Sequence, residues 1–585
     1  MNSTTAPVWC KVPRFEIARD SKLDIPAYGG RLDVKWDPGT KVTSSGGLAY
    51  FAVFLKVTGF FDSLCSDFPV DYRSNNSSSR RDIVGTIVLA ILFGKDRYVQ
   101  INALRNDTAS MELLGLRKIV SEDTVRRSLR DADGKALDAW LSRHEHEVVD
   151  SMLRFAYVID IDNTVKPIFG HQEGAELGYN PQKPGRPSHN YHTFFIGSAR
   201  ITLGVDVLPG KQHSGVCGMR SLWAFLDAIP RRLWPYLLRG DVGYGSDGIM
   251  SEAEARGLLY LFKIKRTGLA KELFAFLSKD DGWTDCGCGW EGREHRIRLS
   301  TWKLARRCIF IRRPNVPKVA AIPLERTQLP APDGANPAPA KGPKQLEFDF
   351  AKDRKGREWD YCILVTNEEK LDLTALSQLY RDRGDCENNF DEFKNQWGWS
   401  GFTTKQLKPC KAMARLIAIV ANLWNVFVRL ADPDAHREPV TSRPAFLNII
   451  GRIVMNGGRR VIHLTSTHAE ADAIRASLCL IGKFLEWVNS IAEQLNPEKT
   501  WTLVLAYAFR KLLRLEHNRG PIPVLIPAYS GSRSNKARHR KGDGLVGYAA
   551  IPKSYGLYPF FSLLKIQPSG TAFAPAKSHT FKRRE

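Results

Sequence analysis

The stretch that most constrains the fold is an alternating run at residues 157–165, which reads YVIDIDNTV. Successive side chains of a β-strand point to opposite faces, so Val158, Asp160, Asp162 and Thr164 share one face and mainly apolar side chains form the other. A carboxylate on such a strand is costly to bury unless it is paired or binds a metal ion. The run therefore predicts a buried strand whose acids have specific partners.

The residues after this strand continue the pattern of an α/β protein. We predict further strands and one helix: strands at 192–201, 202–208 and 234–238, a helix at 251–258 and a strand at 259–265. Asp241 follows the strand at 234–238 and precedes a glycine-rich turn. Open α/β sheets bind their ligands outside the carboxyl ends of the strands, so Asp241 is a second candidate site residue.

A third candidate acid lies in a helix predicted at 373–396. At about 100° per residue, four side chains project from one arc of about 60°: Tyr380, Arg383, Glu387 and Lys394. An arc that mixes an aromatic ring, two cations and a carboxylate suits a surface laid along a phosphate backbone, with the acid as the chemical centre. Asp391 falls close to the same arc and is a rival to Glu387.

The charge of the chain favours a polyanionic partner. The 585 residues hold 85 Lys and Arg against 62 Asp and Glu, a net charge of +23, and residues 531–585 form a basic tail. A hydrophobic fraction of 43 % excludes wholesale disorder. The longest apolar stretch, 412–431, is interrupted by Arg and Asn, and the N-terminal residues lack the apolar segment of a signal peptide. We therefore expect a cytoplasmic protein that binds a polyanion and does not enter a membrane.

Three carboxylates in one site suit the cleavage of a phosphodiester in double-stranded DNA. The reaction needs a nucleophile that is activated at neutral pH and a leaving oxygen whose charge is neutralised. Two divalent ions about 4 Å apart do both, and Mg²⁺ prefers carboxylate oxygens. The same ions can bind a DNA 3′-hydroxyl as nucleophile, so one such site can both cut and join.

These motifs resemble those of a known family. The spacing Y-x2-R-x3-E-x6-K is met by Tyr380, Arg383, Glu387 and Lys394. The sequence RGDVGYG at Arg239–Gly245 and the stretch Asp160–His189, which opens DIDNTV, resemble the family's second and first Asp motifs. The chain resembles the DDE transposases of bacterial insertion sequences, in the insertion-sequence-four superfamily, and particularly the thirteen-eighty branch.

The resemblance implies the class of fold and the catalytic residues. The expected fold is α/β, a ribonuclease-H-like catalytic core with an inserted β-rich domain, flanked by helical N- and C-terminal regions. Asp162, Asp241 and Glu387 would be the catalytic and metal-binding residues, with two Mg²⁺ ions as cofactors and Mn²⁺ as a possible substitute. The bacterial origin of the family implies a cytoplasmic, nucleoid-associated protein.

The same resemblance implies the contacts with DNA. Tyr380, Arg383 and Lys394 would grip phosphates near the transposon end. Members of the superfamily typically release the element through a DNA hairpin, with an aromatic side chain stacked on a flipped base. The candidate aromatic side chains in the inserted region are Trp283, Trp290, Trp302 and Trp359. The implied partners are double-stranded DNA, as terminal inverted repeats and as target, and a second copy of the chain in a synaptic homodimer.

We divide the chain into five regions on these grounds. They are a helical N-terminal DNA-end-binding region (1–148), the first part of the core (149–268), the inserted β-rich domain with a Pro/Ala-rich loop (269–368), the last part of the core with the Glu helix (369–432), and a helical C-terminal region with the basic tail (433–585).

Several assignments stay open at the level of sequence. Asp160 competes with Asp162 because both point the same way from the strand, and we prefer Asp162 because the family pattern has Thr within two residues of the acid. Lys183 and Arg186, in a Pro/Gly-rich loop, either touch DNA phosphates or belong to a plain solvated loop. The Arg-rich helix that begins after Ser121 is either a recognition helix or a basic solvated helix.

The sequence predicts a transposase that cleaves the ends of its element and joins the 3′-hydroxyl ends to target DNA. Two alternatives remain. One is a catalytically inactive DNA-binding protein derived from a transposase. The other is a structure-specific nuclease of the same fold that does not transfer strands.

Overall fold

A computed structural model describes most of the chain. The described residues are 23–34, 36–70, 72, 77–180, 183–212, 214–265, 268–279, 281–315, 351–352, 358–434, 436–467, 470–513 and 524–525. The basic tail at 531–585 and most of the Pro/Ala-rich loop predicted from the sequence lie outside these ranges.

Helices dominate the N-terminal region. The elements are strands β1 (Leu23–Ala27), β2 (Gly30–Val34) and β3 (Lys41–Thr43) and helices α1 (Leu48–Thr58), α2 (Phe60–Ser66), α3 (Arg80–Leu92), α4 (Thr108–Leu113), α5 (Glu122–Asp131) and α6 (Gly134–Val149). Helix α5 begins as predicted, because the Ser121 side chain accepts a hydrogen bond from the Thr124 amide at 3.1 Å. The predicted helical N-terminal region also contains strands: β1 and β2 form a hairpin, and β3 pairs with a strand at Gly451–Asn456. Strands of three to five residues are too short to show a clear period in the sequence.

The central sheet is built from the residues that the alternating pattern identified. Its elements are β4 (Ala156–Pro167), β5 (Ser188–Ile196), β6 (Ile201–Pro209), α7 (Ser214–Asp227), β7 (Leu237–Gly240), α8 (Asp247–Ala255) and β8 (Leu259–Lys263). The spatial order is β6-β5-β4-β7-β8. Strands β4, β5 and β6 are antiparallel neighbours, whereas β7 runs parallel to β4 and β8 parallel to β7.

The inserted region extends this sheet. It contains α9 (Gly268–Leu277), β9 (Thr284–Asp285), β10 (Glu291–Ile297), β11 (Arg306–Pro314), β12 (Ala351–Lys352) and β13 (Glu358–Thr366). Strand β13 pairs antiparallel with β8, and the order continues β13-β11-β10-β9. The inserted strands and the core strands therefore share one hydrogen-bonded sheet.

The last part of the chain is helical with one further hairpin. It contains α10 (Leu373–Arg381), α11 (Gly384–Asn395), α12 (Leu407–Ala431), α13 (Pro439–Phe446), β14 (Gly451–Asn456), β15 (Arg459–Leu464), α14 (Ala471–Ser490), α15 (Pro497–Ala508) and β16 (Val524–Leu525). Strands β15, β14 and β3 form a small sheet, which the predicted helical C-terminal region did not include.

Helix α12 is the central helix of the core. In the part of the chain that the structure describes, α12 alone is long and apolar enough to cross a membrane by length and composition, unless the bent pair α1–α2 is counted as one span. In its most apolar window 94 % of the residues are buried inside the protein, where α12 packs against α6, β6 and α15. Asn422 lies within this helix and donates a hydrogen bond to the Thr202 carbonyl at 2.7 Å, so this polar interruption binds neighbouring backbone.

The predicted fold class is confirmed. The protein is α/β, with a large mixed sheet and flanking helices, and its strand order agrees with the ribonuclease-H-like core that the resemblance implies. The boundaries of the five regions stay a prediction.

Candidate active site

The register between β4 and β7 sets the level of the acids. These parallel strands align Asp160 with Arg239 and Ile161 with Gly240. The next pair in this register is Asp162 and Asp241, on backbones that lie about 4.8 Å apart in a sheet. The fold therefore brings the two predicted aspartates to the same level at the carboxyl end of β7.

Asp160 and Arg239 form a fully buried ion pair. Arg239 donates from Nη2 to Asp160 Oδ2 at 2.8 Å and from Nε to Oδ1. Both oxygens of Asp160 thus have a cationic partner, and a buried charge without one would be costly. Asp160 is accounted for by this pair, which agrees with the choice of Asp162 as the candidate site residue.

Asp162 is nearly buried and has a different set of neighbours. Its Oδ2 accepts a hydrogen bond from Arg383 Nη1 at 2.7 Å, and its Oδ1 accepts from the Asn163 amide at 2.8 Å. Burial raises the pKa of Asp162 to about 7; Arg383 opposes this rise, while the negative charges of Asp241 and Asp160 add to it. Asp162 and Asp241 are therefore two carboxylates that repel each other at close range.

Asp241 is held by the turn that follows β7. Its Oδ1 accepts from the Gly243 amide at 2.8 Å. Tyr244, three residues on, is fully buried, and its hydroxyl shares a hydrogen bond of 2.7 Å with His192 Nε2 on β5. Burial lowers the pKa of His192 to about 4, so the imidazole is neutral at pH 7. The Tyr244–His192 contact fastens the Asp241 turn to the sheet.

The helix predicted at 373–396 is interrupted, and this corrects the predicted arc. The Arg383 amide bonds to the Tyr380 carbonyl at 3.1 Å, three residues back instead of four. The carbonyl four residues back, that of Leu379, accepts instead from Arg239 Nη1. The same arginine that pairs with Asp160 thus ends α10, and α11 begins again at Gly384. The prediction that these four side chains share one arc of a single helix is therefore wrong.

Arg383, at the interruption, links the helical acid to the strand acids. It bonds to Asp162 as described, its Nη2 lies 3.5 Å from Glu387 Oε1, and its guanidinium carbon lies 5.8 Å from the centre of the Tyr380 ring. The Glu387 side chain is 74 % exposed. Arg383 therefore contacts one acid of β4 and the acid of α11.

Tyr380 and Lys394 differ from their predicted positions. Tyr380 is only 8 % exposed, so it does not lie on an open surface with the other three. Lys394 is two turns after Glu387 on α11 and shares its side of that helix. Burial lowers the pKa of Lys394, which the negative charge of Asp391 opposes. Asp391 is exposed and accepts a hydrogen bond from Asn395 at 2.7 Å, and the contacts described for Arg383 do not include this rival to Glu387.

In the present arrangement two of the three acids, Asp162 and Asp241, are placed to bind a divalent cation, and the third, Glu387, is not. Within the described ranges, no group of three or more His, Cys, Asp or Glu side chains is arranged to hold a metal ion. Asp162 and Asp241 offer hard oxygen ligands at one level, and their mutual repulsion is the kind of charge that a cation relieves. Glu387 could join them after turning away from Arg383, because it is exposed.

The loop with Lys183 and Arg186 holds an aromatic residue that the sequence reading missed. Lys183 Nζ lies 4.7 Å and the Arg186 guanidinium carbon 4.8 Å from the centre of the Phe169 ring. All three residues are exposed, and Phe169 is 68 % exposed. The two cations therefore flank an accessible ring, and the described contacts do not link this loop to the three acids.

Burial and ion pairing bear on two assignments that the sequence left open: which tryptophan stacks a flipped base, and whether the Arg-rich helix α5 is a recognition helix. Trp302 and Trp359 are buried, whereas Trp283 and Trp290 are half-buried. Each of these two half-buried rings has an arginine over it, Arg312 over Trp283 and Arg313 over Trp290, and Trp283 also donates its indole N–H to the Leu277 carbonyl at 3.2 Å. The three arginines of α5 pair with acids of the same segment: Arg126 with Glu122, Arg127 with Asp123 and Arg130 with Asp131. This pairing agrees with a solvated helix.

The Asp160–Arg239 pair could have been found in the sequence. D-x-D in the first motif and R-G-D in the second have the same spacing. If neighbouring parallel strands carry the two motifs in register, Asp160 lies opposite Arg239. Asp162 then lies opposite Asp241. No comparable motif spacing in the sequence indicates that the helix is interrupted at Arg383.

The strand order and the level of the two aspartates agree with a ribonuclease-H-like core that has a candidate acidic site at the carboxyl end of its strands. Residues 153–423, a little under half of the chain, match the model of the family described as "Transposase DDE domain". All three candidate acids lie inside this match, and the match supports the interpretation of the chain as a transposase.

Among solved structures the chain is similar to one described as "Cryo-EM structure of piggyBac transposase synaptic complex with hairpin DNA (SNHP)". The identity is 9 %, the similarity covers 77 % of this chain and 84 % of that one, and the TM-score is 0.33. At this TM-score the likeness is weak, and the fold follows from the strand order of the chain itself. A comparison with curated proteins found no significant match.

Proposed function

We propose that the chain is a transposase that binds the ends of a DNA transposable element, cleaves them by phosphodiester hydrolysis with two Mg²⁺ ions and joins the 3′-hydroxyl ends to target DNA. The observation that carries the proposal is the parallel register of β4 and β7, whose last pair, Ile161 and Gly240, is followed directly by Asp162 and Asp241, inside the stretch that matches the transposase DDE domain. Membership of the insertion-sequence-four superfamily and its thirteen-eighty branch is part of the proposal.

Asp162, Asp241 and Glu387 would hold the ions, and Mn²⁺ would substitute. When bound, the divalent ions supply an activated hydroxyl and neutralise charge on the leaving oxygen. In the first step an oxygen of water forms a bond to phosphorus while the bond to the 3′-oxygen breaks, and that oxygen leaves as a hydroxyl after taking up a proton. In the second step the freed 3′-hydroxyl loses its proton and its oxygen forms a bond to phosphorus in a further phosphodiester, while the bond from that phosphorus to its own 3′-oxygen breaks and this oxygen leaves as a new 3′-hydroxyl.

Arg383 has a role in both states of the site. Without ions it neutralises Asp162 and lies near Glu387, and so limits the repulsion among the acids. Once the acids bind cations, its guanidinium is free to form two hydrogen bonds with a DNA phosphate. Lys394, on the same side of α11, would bind the next phosphate as a point charge.

We propose release through a DNA hairpin, with Trp290 as the aromatic residue that stacks a flipped base. Trp290 is half-buried and ends a turn whose Cys286 carbonyl accepts a hydrogen bond from Arg381 of α10 at 2.9 Å. The turn therefore lies against the helix that precedes Arg383. Replacing Trp290 with Ala should reduce hairpin formation more than first-strand cleavage, whereas Trp283→Ala should reduce neither selectively.

The partners and setting follow from this chemistry. The DNA partners are terminal inverted repeats and target DNA, and a homodimer would hold two ends together in the synaptic complex. We expect the protein in the bacterial cytoplasm, associated with the nucleoid. Lys183 and Arg186, with Phe169 between them, are proposed to contact the DNA beside the first acid.

The contact between Glu387 and Arg383 is the observation that favours a catalytically inactive DNA-binding protein as the second candidate. In that protein Glu387 would stay with Arg383 and the three acids would never bind an ion together. A structure-specific nuclease would cleave but not join.

The test is cleavage and joining of duplex DNA bearing the sequences that flank the gene, in Mg²⁺ and in Mn²⁺. Wild type is compared with Asp162→Asn, Asp241→Asn and Glu387→Gln, and with Asp391→Asn as a matched control on the same helix. We expect the first three variants to lose cleavage and Asp391→Asn to keep it. If Glu387→Gln still cleaves and Asp391→Asn does not, the assignment of the third acid is wrong.

Each further outcome selects one candidate. Cleavage followed by joining to target DNA supports a transposase, and terminal inverted repeats around the reading frame would agree with it. Cleavage without joining supports the nuclease. A wild-type protein that binds the ends but never cleaves them supports the inactive DNA-binding protein.

A further inference from the structure

The small sheet near the C-terminus ends in a projecting hairpin. Strands β14 and β15 pair over six residues each and are joined by Gly457 and Gly458, both in the left-handed region at φ of 55° and 75°. Two consecutive glycines in that conformation form the tight turn whose twist suits a two-stranded ribbon. Met455, beside the turn, is 66 % exposed, so the tip extends away from the core.

The hairpin carries only positive charge. Residues 451–464 contain Arg452, Arg459, Arg460 and His463 and no Asp or Glu. None of the three arginines forms an ion pair with any residue that the structure describes. Arg452 lies close enough to Asp37 to help lower the pKa of that carboxyl, an effect smaller than that of the hydrogen bonds from Thr40 and Gly39.

The two faces of the hairpin differ. The pairs Arg452–His463, Val454–Val461 and Asn456–Arg459 alternate with the remaining pairs, so these six side chains share one face. Their positions are exposed or half-buried. On the opposite face Ile453 is buried and Leu464 packs against the core, with only the tip projecting beyond it. The face that includes Arg452 and Arg459, here called the basic face, is therefore the one turned away from the core.

The base of the hairpin is firmly held. The Gly46 amide, just before α1, donates to the Ile449 carbonyl at 2.6 Å, and the Thr465 amide donates to the Ile450 carbonyl at 3.0 Å. A Cβ on Gly46 would come within 2.8 Å of that Ile449 oxygen, so only glycine allows this approach. A fixed base with a projecting tip presents the basic face in one orientation.

We infer that the β14–β15 hairpin is a second DNA-contacting element, whose basic face lies in the major groove of duplex DNA. Two paired strands about 4.8 Å apart fit a groove about 12 Å wide, which admits a two-stranded ribbon. Arg452, Arg459 and His463 would reach the phosphates that flank the groove, and Asn456 would face base edges. The inference rests on the proposed function for its partner, DNA, and does not depend on catalysis.

A plainer role for the same cations would be to protect the edge of the sheet. Strand β15 is at one end of the order β15-β14-β3, and charges on an edge strand discourage pairing with other chains. Edge protection needs charge along the strand but gives no reason for charge on the inner strand β14. Arg452 lies on β14 and faces the same way as Arg459, which a DNA-binding face explains and edge protection does not.

The test is binding of the full chain to a fluorescently labelled duplex of mixed sequence, in EDTA so that cleavage is absent, over a series of salt concentrations. We expect Arg452→Gln/Arg459→Gln to lower the slope of log affinity against log salt by about 2 and to weaken binding roughly 10- to 100-fold at about 0.1 M salt. Arg296→Gln/Arg437→Gln is the matched control, because these exposed arginines pair with Glu369 and Asp432. The control should leave the slope unchanged.

A second pair of variants tests which face binds. Val454→Glu places an acid in the middle of the basic face, whereas Met455→Glu places one on the opposite face one residue away. Val454→Glu should weaken binding more than Met455→Glu, with equal melting temperatures for both. Equal binding by both variants, or an unchanged salt slope in the double arginine variant, would overturn the inference; aggregation with normal binding would point to edge protection.

The failure of this inference is distinguishable from the failure of the proposed function. If wild type binds duplex and the hairpin variants bind equally well, only the hairpin is wrong. If wild type does not bind duplex, both proposals fall. Asp162→Asn, which removes a candidate catalytic acid, should bind the duplex at least as well as wild type.

Discussion

The candidate site has two halves that are built differently. Asp162 lies within the paired strand β4, and Asp241 lies in the turn that follows β7, where it accepts a hydrogen bond from the Gly243 amide. Glu387 stands on a helix that begins anew at Gly384, is mostly exposed, and lies near Arg383. From this difference we expect that the strand half is preformed and that the helical half adjusts if a cation or DNA binds.

The largest expected effect is on cleavage, when the length of one acidic side chain is changed in each half of the site. Asp162→Glu adds one methylene in a buried strand position and should reduce cleavage about 10³-fold, roughly 4 kcal/mol in the barrier. Glu387→Asp shortens an exposed side chain and should keep cleavage within about tenfold of wild type. Steady-state cleavage of an end-containing duplex measures both. Equal losses in the two variants would show that the halves are equally rigid.

The next effect concerns stability. Asp160→Asn leaves Arg239 buried beside a neutral side chain and should lower the free energy of unfolding by about 3 kcal/mol. Glu387→Gln removes an exposed carboxylate near Arg383 and should cost less than about 1 kcal/mol. Urea denaturation monitored by tryptophan fluorescence checks both. A small loss for Asp160→Asn would mean that the strand half does not depend on this ion pair.

A pH effect should report on the contact that fastens the Asp241 turn. Because burial lowers the pKa of His192 to about 4, the folded protein binds fewer protons there than the unfolded chain. Stability should therefore fall as pH drops from about 6.5 toward 4, with His192 contributing at most about 1.4 kcal/mol per pH unit. His192→Gln should flatten the curve of unfolding free energy against pH in this window. His171→Gln, at an exposed position, should keep the slope of wild type, and an unchanged slope for His192→Gln would contradict the burial argument.

The smallest effect tests what interrupts the helix. No atom lies within 4 Å of a Cβ built on Gly384, so Ala fits there. If Arg239 causes the interruption by binding the Leu379 carbonyl, Gly384→Ala should stabilise the protein by about 0.5 to 1 kcal/mol and keep activity. Loss of cleavage in a stable variant would mean that Gly384 itself sets the position of Glu387.

The elements that carry Asp162 and Asp241 could be predicted from the sequence, because the information for them is local. The alternating run predicted β4, and Asp241 at the end of a short strand followed from its neighbours and the turn after it. The helical half was predicted only in part, because the partner of the Leu379 carbonyl is Arg239, 140 residues away in the sequence. The hairpin β14–β15 was missed because its strands are short and half-exposed.

The three nitrogens of one guanidinium group have a consequence for the integrity of the chain. Arg239 binds Asp160 of β4 and the Leu379 carbonyl of α10, so it joins two parts of the core across the whole inserted region. Strand β13 adds a second attachment through its pairing with β8. Helix α10 is thus held against the core by these contacts and does not depend on an unbroken polypeptide. Two fragments separated by a cut between β11 and β13 would carry matching surfaces and could assemble into one site, which makes the inserted region a natural place to divide this protein into a conditionally active pair.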